Sequence, residues 1–144
     1  SVPAGVPHVN DPVALSKLVS VNSRFTRSVS IVRDFERQDA LGGYIMTPVA
    51  RGVLVRLADA LNGRTTTRAW SLTGPYGSGK SAFGLLVAQL LASEGKTRQQ
   101  ARVLLEAEAP DLAADLFAPG TALAKKSSRL CPVLVSGSRQ SLEK

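Results

Sequence analysis

A glycine-rich segment in the middle of the chain limits the folds that this sequence can adopt. It fits the pattern G-x-x-x-x-G-K-[ST] and runs Gly74-Pro75-Tyr76-Gly77-Ser78-Gly79-Lys80-Ser81. A short, partly apolar stretch at 69–73 precedes it, and a helical pattern of apolar residues follows from Lys80. From composition, such a match is expected in fewer than ~1% of chains of this length. The pattern requires a strand, then this loop, then a helix.

The residue types of the loop suit a bound phosphate chain. Its three glycines let backbone N–H groups approach phosphate oxygens and permit unusual torsions. The N-terminus of the following helix adds free donors and the positive end of its dipole. Lys80 would supply a charge to the β- and γ-phosphates as the catalytic lysine, and Ser81 a hydroxyl ligand for Mg²⁺. We therefore expect the loop and Ala82 to bind a phosphate chain with Mg²⁺, and the resemblance described next implies ATP or ADP as the cofactor.

The loop, preceded by Arg68-Ala69-Trp70-Ser71-Leu72-Thr73, resembles that of P-loop NTPases. The stretch from about 24 to 142 resembles AAA+/STAND-like ATPase modules of large bacterial proteins, including ATP-binding components of phage-defence and restriction-type loci. The resemblance implies an α/β fold, a partial three-layer αβα P-loop domain with an N-terminal arm and a helix ahead of the first core strand. In such modules a linker before that helix helps to form the adenine pocket. Gly42–Met46 lies in the corresponding place, so Tyr44, Ile45 or Met46 is expected near the adenine.

Turn residues and apolar periodicity divide the chain into three parts. Residues 1–23 hold three of the eight prolines without a clear period, which predicts an arm or linker. Residues 24–68 contain an alternating segment at 25–33, predicted as a strand, then the linker and a helix. That helix begins at Thr47-Pro48, a favourable cap and first position, and ends at Asn62-Gly63.

Residues 69–144 are predicted to form the first part of the nucleotide-binding core. Strands are expected at 69–73 and at 130–135. Helices are expected from Lys80 to about Ser93, with Gly95 as its C-terminal cap, and from about 97 to 109. Pro110 interrupts the second of these, and a short helical piece follows it. Because the chain stops nine residues after 135, we expect it to be truncated before the Walker B strand, as a fragment of a longer ATPase.

A catalytic carboxylate is the feature that the sequence does not supply. A P-loop hydrolase places an acid at the end of an apolar strand, where it holds Mg²⁺ and positions water. Val103-Leu104-Leu105-Glu106 is the nearest match, but its periodicity is helical, and Asp111 and Asp115 flank a helical piece. The chain is therefore expected to bind nucleotide without appreciable turnover.

Composition limits the remaining function classes. The single cysteine and single histidine exclude a disulfide framework and a zinc cluster. No apolar run of ~18 residues and no signal-peptide pattern occur, which predicts a cytoplasmic chain without a membrane partner. The net charge of +7 makes DNA a candidate partner.

Three functions remain open from the sequence. The first is an ATP·Mg²⁺-binding module, the N-terminal part of a bacterial ATPase that couples nucleotide state to a partner or a DNA transaction. Its partners would be the rest of a longer chain or other subunits of an oligomer. The second is a regulatory module that binds nucleotide without hydrolysing it, and the third is a P-loop small-molecule kinase.

Overall fold

The computed structural model describes residues 28–124, 130–135 and 137 of the 144-residue chain. The predicted arm at 1–23 lies outside these residues. The helices of the described part are α1, Ile31–Asp34; α2, Pro48–Leu61; α3, Lys80–Ala92; α4, Gly95–Glu108; and α5, Pro110–Phe117.

Helix α2 forms where its capping residues predict it. The Thr47 hydroxyl accepts a hydrogen bond from the Ala50 amide at 3.2 Å, which satisfies one of the free donors of the first turn. Pro48 occupies the first helical position, where its missing N–H costs nothing. The helix ends at Leu61, and the backbone N–H of the capping residue Asn62 donates to the Ala58 carbonyl. The predicted helix is confirmed at both ends.

Helices α3, α4 and α5 follow one another with little intervening chain. Ser93 adopts an extended conformation after α3, and its hydroxyl donates back to the Gln89 carbonyl at 2.5 Å. Gly95 is the first residue of α4, so its prediction as the C-terminal cap of α3 is wrong. The predicted break at Pro110 is confirmed, because this residue begins α5 directly after Ala109.

The core lies between the four longer helices. Helix α4 packs against α3 and α5, α2 packs against α5, and the short α1 packs against α3. Burying each large aliphatic side chain contributes about 1.5–3 kcal/mol relative to leaving it in water. The leucines that are at most 1% exposed are Leu54, Leu85, Leu86, Leu90, Leu105 and Leu116.

The prediction of an α/β fold, a three-layer αβα P-loop domain, is wrong for the described residues, because none of them forms a strand. At 28–33, predicted as part of a strand, the Asp34 amide donates to the Ser30 carbonyl at 2.8 Å and closes a helical turn. At 130–135, the Leu130 amide donates to the Leu91 carbonyl of α3 at 2.7 Å, where a ladder partner was expected.

The segment at 69–73 is also not a strand, and it is exposed throughout. Trp70 is 43% and Leu72 is 41% exposed. A strand needs a partner for its backbone groups as well as apolar side chains. Here the apolar faces of the helices cover one another, and the short apolar segments do not pair.

Candidate functional site

The loop before α3 adopts the torsions for which its glycines were singled out. Gly77 has φ 78° and Gly79 has φ 81°, both in the left-handed region that disfavours a β-carbon. Nothing lies within 4 Å of the position that a β-carbon would take at either residue. The cost of substitution there is therefore backbone strain and not crowding.

The ammonium group of Lys80 is held against its own loop. It donates to the Gly74 carbonyl at 2.8 Å, to the Pro75 carbonyl at 2.5 Å and to the Ser78 hydroxyl at 3.1 Å. A lysine ammonium has three N–H donors, so these partners match its full donor capacity. The structure thus places the positive charge of Lys80 on the loop that the sequence predicts to bind phosphate.

The first turn of α3 adds backbone donors beside this charge. The Phe83 amide is bonded to the Gly79 carbonyl at 2.9 Å, as the first intrahelical bond requires. The amides of Lys80, Ser81 and Ala82 precede that bond, and the cap residue is a glycine without a side chain to bond them. These amides and the dipole of α3 favour an anion at this end of the helix.

Two loop side chains are exposed to solvent. Tyr76 is 97% exposed, so its ring is free to meet a ligand or solvent. Ser81 is exposed as well and lies in the first turn of α3, directly after Lys80. Its hydroxyl is therefore accessible to a metal ion.

The residues expected near an adenine lie just before α2. Ile45 is 74% exposed, whereas Tyr44 is half-buried. Burial raises the pKa of the Tyr44 hydroxyl, and the negative charge of Glu108 raises it further. The Met46 amide donates to the Glu108 carboxylate at 3.0 Å, which fixes this segment to the end of α4.

A cavity of about 450 Å³ lies beside the loop and was not predicted from the sequence. Ser81 contributes to it, together with residues 29–32 and 133–135. The alternation of apolar residues that includes 29 and 31 predicted a strand. In the structure the residue at 31 begins helix α1 instead. The two wall segments are far apart in sequence, and no local pattern predicts that they meet.

The carboxylates considered for catalysis are engaged on helices. Glu106 accepts from Arg102 at 2.8 Å within α4. Asp111 is paired with Arg51, and the hydrogen bond from that guanidinium lowers the pKa of the carboxyl. Asp115 accepts hydrogen bonds from Arg64 and Asn62.

The described residues offer no ready-made metal cluster and no membrane span. Within the described part of the chain, no group of three or more His, Cys, Asp or Glu side chains is placed to hold a metal ion. The described helices are all too short or too polar to cross a membrane. Comparisons with protein-family models, curated proteins and solved structures give no match to this chain.

Proposed function

We propose that this chain binds ATP or ADP with Mg²⁺ through the loop 74–81 and Ala82. The observation that carries the proposal is the Lys80 ammonium, held on the loop carbonyls beside the first-turn amides of α3. Phosphate oxygens entering the loop would accept hydrogen bonds from the first-turn amides, and the Lys80 ammonium would turn to them by exchanging its bonds to the loop carbonyls. Charge-assisted hydrogen bonds of this kind are the strong ones in proteins.

The donor set fits Mg²⁺ as part of the ligand. Mg²⁺ keeps several waters and takes few protein ligands when it arrives with phosphates. The exposed Ser81 hydroxyl is one such oxygen ligand, and phosphate oxygens and water would complete the shell. The bound metal would neutralise part of the phosphate charge that Lys80 does not reach.

Substitution of Lys80 tests this function. Lys80→Ala should weaken Mg·ATP binding at least about tenfold, because a lost charged hydrogen bond costs roughly 1.5–3 kcal/mol. Isothermal titration calorimetry on the wild type and the variant measures the change. Lys96→Ala is the matched control, since Lys96 is an exposed lysine in the first turn of α4. Equal affinity of Lys80→Ala and wild type would refute the proposal.

A second function is favoured by the ion pairs of the candidate acids. Glu106 and Asp111 are paired with arginines of the helical body. A chain that binds nucleotide at the loop but keeps these carboxylates in such pairs would act as a regulatory module that senses nucleotide without hydrolysing it. Phosphate-release measurements separate this function from that of an ATPase.

A further inference from the structure

We infer that the cavity beside Ser81 receives the base and sugar of the nucleotide whose phosphates lie on the loop. This inference rests on the proposed nucleotide binding and names the place of the nucleoside. The sequence instead predicted that the adenine lies near Tyr44, Ile45 or Met46.

The position and size of the cavity suit this part of a nucleotide. Its volume of about 450 Å³ falls within the ~300–1,000 Å³ typical of small-molecule sites. Ser81 belongs both to the cavity lining and to the glycine-rich loop. A ligand held by its phosphates at the loop therefore has the cavity within reach of its remaining atoms.

The chemistry of the walls favours a neutral group over the phosphates. Among the residues that the structure describes, the lining consists of aliphatic side chains and two serines and includes no charged side chain. Placing a phosphate chain against aliphatic walls would cost the free energy of desolvating its charge. The face of a heteroaromatic base is neutral and weakly hydrated, so its burial there is favourable. The aliphatic lining residues are Val29, Ile31, Val32, Val133, Leu134 and Val135.

One wall of the cavity is fixed before any ligand arrives. The Ser30 amide donates to the Asp34 carboxylate at 3.0 Å, and the Arg33 guanidinium donates to the Ser28 carbonyl at 2.9 Å. Helix α1 is held on α3 because the Gln89 amide donates to the Phe35 carbonyl at 2.9 Å. A wall ordered in advance does not lose further conformational freedom when the ligand binds, which favours binding.

The same wall also packs closely on the helix that follows the loop. The Cδ1 atom of Ile31 lies 2.9 Å from the place that a β-carbon would take on Gly84 of α3. The glycine thus permits this close approach. Both backbone groups of Ser30 are bonded to Asp34, so a ligand in the cavity would contact this residue through its side chain.

The test separates the nucleoside from the phosphates by using two ligands. Isothermal titration calorimetry measures Mg·ATP and Mg·tripolyphosphate on the full chain and on Val32→Asn and Val133→Asn. Both valines line the cavity and are exposed, at 52% and 83%, so neither substitution opens the core. Each variant should bind Mg·ATP about fivefold or more weakly, since apolar contact with the base is lost, and bind Mg·tripolyphosphate as the wild type does.

Two other valines provide matched controls outside the cavity. Val103→Asn and Val49→Asn alter side chains that are 52% and 75% exposed. Neither should change the affinity for either ligand. Circular dichroism on every variant checks that the helices are retained.

The outcomes distinguish this inference from the proposed function. Unchanged Mg·ATP affinity in the cavity variants, or equal losses for the two ligands, overturns the cavity assignment. A selective loss of Mg·ATP affinity in Ile45→Asn alone also overturns it and places the nucleoside beside Tyr44. A wild type that binds neither ligand refutes nucleotide binding itself, and the cavity assignment with it.

Discussion

At the residue scale, one buried side-chain amide on α3 joins this helix to the segment that ends α1 and follows it. The Gln89 side-chain nitrogen on α3 lies 3.3, 2.9 and 3.1 Å from the carbonyl oxygens of Asp34, Phe35 and Arg37. Gln89 is only 2% exposed. Water cannot readily replace these bonds, so this residue holds the chain after α1 against the helix that follows the loop.

We predict that Gln89→Ala destabilises the protein. Removing the amide leaves buried carbonyl groups without this donor, which costs about 1–3 kcal/mol in the free energy of unfolding. Urea denaturation followed by circular dichroism measures the difference. Gln99→Ala, at an exposed position of α4, should change stability by less than ~0.5 kcal/mol. Similar losses in both variants would show that the contacts of Gln89 do not stabilise the fold.

At the element scale, the clearest start signal in the chain belongs to α2. We predict that Thr47→Ala lowers the free energy of unfolding by about 0.5–2 kcal/mol, because the Ala50 amide loses its acceptor. Thr66→Ala, in an exposed loop, is the control and should be nearly neutral. Thermal unfolding of the two variants gives the comparison. If Thr47→Ala were as stable as Thr66→Ala, the cap would contribute nothing to stability.

Helices were predictable from this sequence because their signals are local. The cap at Thr47, the break at Pro110 and the apolar spacing within each helix act over a few residues. Pairing of strands depends on a partner elsewhere in the chain, and the apolar runs at 69–73 and 130–135 contain no information about one. Both were therefore predicted as strands, and neither is one.

One part of the candidate site was likewise predictable from local sequence, and another part was not. The torsions of Gly77 and Gly79 and the position of Lys80 at the start of α3 follow from eight consecutive residues, and the sequence predicts them. The cavity joins 29–32 to 133–135, which lie about a hundred residues apart in sequence. Only the tertiary structure brings these segments together.

At the scale of the whole molecule, the basic character is unevenly distributed. Basic and acidic side chains are nearly equal in number between 28 and 124, so most of the net charge of +7 comes from the rest of the chain. Within residues 28–124, which form the helical body, several arginines are paired with acids, including Arg51 with Asp111 and Arg64 with Asp115. Attraction to DNA would therefore depend mainly on residues outside that body.

The placement of these acids leads to a prediction about ATP turnover by the 144 residues. Binding of phosphates requires the loop, Lys80 and Mg²⁺, whereas hydrolysis also requires a group that orients water toward the terminal phosphate. Glu106 accepts a hydrogen bond from Arg102 on the same helix. Asp111 is paired with Arg51, and this pairing joins α5 to α2. Both pairs are exposed and hold their carboxylates only weakly. Both acids also lie on helices, whereas a water-positioning acid follows a strand beside the phosphates.

We therefore expect the 144-residue chain to bind ATP without appreciable steady-state hydrolysis. A phosphate-release assay with saturating Mg·ATP should give the same rate for the wild type, Lys80→Ala and Lys96→Ala, all at the level of buffer. The lysine control matters because contaminating ATPases would release phosphate equally in all three samples. Turnover that disappears only in Lys80→Ala would show that a residue of this chain does activate water. Glu106→Gln and Asp111→Asn would then identify it, because the true water-positioning residue must abolish turnover while leaving Mg·ATP affinity intact.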